Sequence, residues 1–155
     1  MNKAISAHEL NIDLQGGEET ALFKWLLASF LMGKRIQGAI AAKAYQVIVE
    51  QHQRDTPQKL AHCSHRQLVV MLGQAHYVRY DESTASRLLA LVHKLNAEYD
   101  GKIGNIVEAS ADRQAFEKRL GEFEGIGPKT VEIFMREAAA VLFYTSQRGR
   151  TRCLL

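Results

Sequence analysis

The chain has 155 residues, with 46% apolar and 24% charged side chains, the make-up of one folded domain rather than a disordered segment. Its formal net charge of +3 resides in Arg148, Arg150 and Arg152, leaving 17 basic against 17 acidic residues over 1–147. DNA binding therefore cannot rest on bulk charge. Two cysteines, Cys63 and Cys153, exclude a disulfide scaffold and a four-cysteine zinc or iron–sulfur site. No apolar run approaches the length of a membrane span, and residues Met1 to His8 carry no hydrophobic signal core, so a reducing, cytoplasmic setting is the default.

In chain order, residues 1–18 read as a polar segment broken at Gly16-Gly17. A first helix opens near Glu18-Glu19 and runs to Gly33; Lys24 is its single charge after Ala21, which predicts burial nearly all round. A second helix is expected from about Arg35 to Gln53 on the stripe Ile36, Ile40, Ala44, Val47 and Ile48. Asp55-Thr56-Pro57 marks a turn or short helix start, and Ser64 caps a helix stopping near Gly73. Asp81 to Tyr99 is the clearest helix, with Leu88, Leu91, Val92, Leu95 and Tyr99 at i, i+3, i+4 spacing and Gly101 as its stop. A loop follows, then a helix from about Ala111 to Leu120, a connector Gly121 to Gly127, and a last helix from Pro128 that buries Val131, Phe134, Met135, Ala138 and Leu142. The expectation is an all-α bundle of about six helices: a polar segment 1–18, a helical domain 19–144 and an Arg-rich tail 145–155.

The most informative segment is Leu120 to Val131, two helices joined by Gly125-Ile126-Gly127. Glycines at both positions leave the backbone open to a large ligand, and Ile126 can anchor the turn. The N–H groups of the turn and of the next helix's first turn together suit a phosphate, with Lys129 as a mobile cation beside them. A bare connector would use the same two glycines. Phe30-Leu31-Met32 read as core or as an apolar wedge. Tyr77, Arg79 and Tyr80 read as a helix start or as a stacking surface, and His62, Cys63, His65 and His76 lack the spacing of a zinc site.

Phe123-Glu124-Gly125-Ile126-Gly127-Pro128-Lys129-Thr130-Val131 resembles the hairpin of the helix-hairpin-helix DNA glycosylases of the endonuclease III superfamily, and the helix pattern extends that resemblance over about residues 20–142. It implies a base-excision DNA N-glycosylase or abasic-site lyase acting on damaged double-stranded DNA. Gly125, Ile126, Gly127, Lys129 and Thr130 would hold the strand, often helped in that family by a monovalent cation, and Lys129 would be the catalytic amine. Such an amine must be neutral, through burial or nearby charge. The family's iron–sulfur loop is absent from the chain, Glu124 replaces the usual hairpin proline, and the position of the family's catalytic aspartate falls on Gln147, with no Asp or Glu after Glu137. Two other functions compete: a non-catalytic DNA-binding member of the family, and a helical protein-interaction module in which Gly-Ile-Gly only turns the chain. Two accounts of the ending also compete, a natural short homologue and a truncated or frame-altered terminus from about Ala140; the loss of helical pattern after Tyr144 favours the second.

Overall fold

The computed structural model describes residues 5–144. They form an all-α fold of eight α-helices, with no strand among the described residues. The expected tail, with Gln147, the three arginines and Cys153, lies outside them.

Helix α1 (Glu19–Met32) is the axis of the fold. Leu22, Phe23 and every side chain from Trp25 to Leu31 are buried, because α1 packs against α2 (Gly38–Gln46), α6 (Ile103–Glu108) and α8 (Pro128–Ala139). Its near-total lack of charge thus meets neighbours on several sides. Two polar atoms in this core are matched internally: Trp25 Nε1 donates to the Phe134 carbonyl at 3.1 Å and Ser29 Oγ to the Trp25 carbonyl at 2.7 Å.

The expected second helix, Arg35 to Gln53, is shorter and changes pitch. α2 starts at Gly38 and widens into π-helical turns over Val47–Gln51. Val47, Ile48 and Val49 are all buried there. Three consecutive β-branched residues crowd a regular α-turn, and the wider winding gathers them on a narrower arc.

Local capping signals account for the next elements. Thr56 Oγ1 accepts from the Lys59 N–H and Pro57 occupies the first turn, giving the short α3 (Pro57–Ala61). Ser64 and Gln67 form a reciprocal capping box at the start of α4 (His65–Gln74). Helix α5 spans Asp81–Tyr99, the range read from its spacing, and ends on left-handed Asp100 and Gly101. Asp112 caps α7 (Arg113–Leu120) through the Ala115 N–H.

Two segments depart from expectation. The loop after Gly101 contains α6, whose N-cap position is Lys102 and whose free amides are met from elsewhere: Glu19 accepts from Ile103 N–H at 2.7 Å and Gly104 N–H at 2.8 Å. The polar segment before α1 also belongs to the packed structure. A 3₁₀ turn at His8–Leu10 places Ala7, Leu10, Ile12 and Leu14 in the core, and Glu137 on α8 accepts from the Ala7 N–H at 3.0 Å. One hydrophobic core draws on residues from Ala7 to Ala139. No helix among the described residues is long and apolar enough to cross a membrane.

Candidate nucleic-acid interface

The connector between α7 and α8 is held from below. Phe123 and Ile126 are buried, and the Phe123 ring packs 6.0 Å from that of Tyr99. The Phe123 N–H donates to the Leu120 carbonyl and the Ile126 N–H to the Phe123 carbonyl, each at 3.2 Å. The Ile126 amide, expected to face a DNA strand, therefore already closes the turn on itself.

The two glycines differ. Gly125 has φ +80°, and a Cβ there would stand 2.5 Å from Phe30 Cε1 and 3.2 Å from Arg87 Cβ. Glycine at 125 is required by the fold: the chain turns left-handed while pressed on α1 and α5. Gly127 has φ −102° and ψ −173°, and a Cβ there would meet nothing within 4 Å. Position 127 imposes no internal need for glycine, and the space beside it is open.

Gly127 is also the N-cap of α8, where no side chain caps the helix. Pro128 has no N–H, and Val131 N donates to the Gly127 carbonyl at 3.0 Å as the first turn closes. The Lys129 and Thr130 amides thus precede the first intrahelical bond at the positive end of the helix. The Lys129 side chain is exposed. That of Thr130 is buried, at 1% exposure, beside Gly33 at the end of α1. The expectation of a Thr130 contact with DNA thus passes to its backbone.

Sequence reading found Lys129 but missed the four other cations that converge here, Lys34, Arg35, Arg87 and Arg136. A cavity of about 460 Å³ is lined by Gly33, Lys34, Arg87 and the stretch from Gly125 to Thr130. Beside it, a second of about 590 Å³ is lined by Lys34, Arg35, Lys129 and Arg136 among mainly apolar neighbours. Neither lining includes a carboxylate among the described residues. The five cations come from the α1–α2 bend, α5 and α8, so no run along the chain announces them. A larger groove of about 930 Å³ on the α7 side of the connector is lined by both signs, including Arg113, Glu117, Glu122 and Glu132.

Lys34 stands on the wall common to the two cationic cavities. Its Nζ is 3.4 Å from the Gly125 carbonyl and 5.0 Å from the centre of the Phe30 ring. Burial, aided by the like charge of Arg87, lowers its pKa from the usual lysine value. It makes no ion pair with a carboxylate among the described residues.

The other candidates take structural places. Phe30 and Leu31 are fully buried, Phe30 as the floor beneath Gly125, while Met32 is partly buried. Tyr77 is buried with its hydroxyl donating to the Leu31 carbonyl at 2.9 Å, which withdraws it from any stacking surface. Arg79 lies over the exposed Tyr80 ring. Cys63 is buried, His65 bonds the Glu82 carbonyl, and no group of three or more His, Cys, Asp or Glu among the described residues could hold a metal. No family model matches the chain, and neither does any curated protein.

Proposed function

We propose that the chain binds the backbone of double-stranded DNA through α7, the connector and α8 acting as a helix-hairpin-helix element, as its resemblance to base-excision glycosylases and abasic-site lyases implies. The observation that carries this reading is an open Gly127 at the uncapped N-terminus of α8, lining a cavity whose charged residues, Lys34, Arg87 and Lys129, are all cations among the described residues. A phosphate oxygen there meets outward amides at a helix's positive end, with Lys129, Arg87 and Lys34 around it. Lys129, exposed at the mouth of both cavities, suits contact with a neighbouring phosphate. Base excision is a weaker reading, because neither lining includes a carboxylate among the described residues.

Duplex binding at stepped salt concentrations tests the proposal. Affinity should fall steeply with salt, and Lys129→Ala should reduce the log–log slope by about 1. Gly127→Val should fold, since its side chain enters open space, and should weaken binding roughly tenfold by blocking approach to the amides. Absence of duplex binding at low salt would leave the protein-interaction module. Unchanged binding by Gly127→Val would place any DNA contact elsewhere.

A further inference from the structure

We infer that the 590 Å³ cavity between the α1–α2 bend and α8 is a docking site for an acidic segment of a partner protein, one that sets a single apolar side chain between carboxylates. The inference goes beyond the DNA-binding reading and does not rest on it. Lys34 and Lys129 belong to both cavities, so a segment seated here draws on the same lysines as a phosphate on α8.

The α8 wall sets the pattern. Lys129, Ile133 and Arg136 are spaced i, i+4 and i+7 along the helix and share one of its faces. The two cations start about 10 Å apart along the axis, and Ile133 lies between them at 5% exposure. The α1–α2 bend contributes Lys34 and Arg35, with Met32 and Ile36 partly buried beside them, and Ile5 adds a further apolar group.

Exposure sorts this lining by chemistry. Arg35, Lys129 and Arg136 are exposed, whereas Ile133 is buried, so charge surrounds the mouth and apolar groups form the base. None of the four cations makes an ion pair with a carboxylate among the described residues. Gly38 also lines the cavity and opens α2, whose N-terminus has no side-chain cap and adds its positive end. A phosphodiester backbone answers the cations but has no apolar side chain for the base. An aliphatic residue flanked by carboxylates answers both, as the apolar centre and charged rim of a protein interface do.

The test measures fluorescence anisotropy of the full chain with a labelled heptapeptide, Asp-Glu-Ser-Leu-Ser-Glu-Asp, at low salt. Its glutamates flank the leucine on one side of an extended chain and span about 13 Å. The peptide should bind, and replacing its leucine by serine should weaken binding at least about tenfold, a comparison that leaves the protein unaltered. Arg35→Glu and Arg136→Glu, both at exposed positions, should each weaken binding about tenfold. Arg66→Glu makes the same charge change at an exposed position on α4 and should leave binding within about twofold. Equal affinity for the leucine and serine peptides overturns the inference, because charge alone then holds the ligand. Equal loss with Arg66→Glu overturns it for the same reason, and absence of peptide binding at low salt overturns it outright. Duplex binding weakened by Arg35→Glu and Arg136→Glu, with no peptide binding, would instead make the cavity part of a DNA face. Failure of duplex to bind while the peptide binds removes the DNA-binding reading and leaves this one standing.

Discussion

Gly125 and Gly127 look equivalent in the sequence and are not. Gly125 combines a left-handed backbone with contact against Phe30 and Arg87, so any Cβ there meets both torsional strain and a clash. Gly125→Ala should cost about 2 kcal/mol or more and lower the melting midpoint by roughly 4–8 °C, measured by calorimetry. An unchanged midpoint would show that the connector relaxes freely away from α1. The anchoring role of Ile126 was legible, because an apolar residue between two glycines has few other uses. Its committed amide and the inward side chain of Thr130 were not, because both depend on how the connector settles onto α1 and α5.

At the scale of elements, α6 shows how a helix can be specified from far away. Its N-cap residue, Lys102, makes no side-chain cap, and its two leading amides bond the carboxylate of Glu19 in the first turn of α1. The same carboxylate was legible only as an acid suited to the positive end of its own helix. Glu19→Ala should cost roughly 2 kcal/mol, since charged acceptors on part-buried amides are among the stronger hydrogen bonds. Amide exchange over Ile103–Glu108 should accelerate most, as the α6 turn loses its cap. Equal protection in the variant would mean that burial of Ile103 and Ile106 alone sustains the helix. Helices α4, α5 and α7 were read close to their observed bounds, and the contrast has a clear cause. Ser64 and Asp112 cap α4 and α7 from adjacent positions, and the long stripe of α5 needs no remote partner.

Over the whole molecule, a single core couples the ends of the described chain and sets its response to base. The Tyr45 and Tyr77 phenols are buried, and burial raises both above the ordinary phenol value of 10.0. Unfolding returns them to that ordinary value, so the unfolded chain releases these protons first. The resulting stability is fully present below pH 10 and is lost as the pH rises beyond it. Urea melts between about pH 8 and about pH 11 should show a falling midpoint, and phenolate absorbance of the native protein should lag behind that of the unfolded chain. Parallel phenolate titration of native and unfolded protein would contradict this.

By itself, the sequence determined an all-α fold, a central helix buried nearly all round, the cap of α4, and a Gly-Ile-Gly connector leading into a proline-started helix. Each follows from residues within a few positions of one another, where periodicity, capping and φ preference act. Tertiary structure alone decided that Ala7, Leu10, Ile12 and Leu14 join the core, that Glu19 caps α6, and that one glycine is required while the other is open. It also decided the charge of the site. Lys34 and Gly125 are 91 positions apart, and Lys34, Arg35, Arg87, Lys129 and Arg136 become neighbours only through the packing of α1, α5 and α8. A chain with no net charge over residues 1–147 can thus present two cavities whose charged lining residues, among those described, are all cations, because Coulomb interactions depend on distance in space and not along the chain.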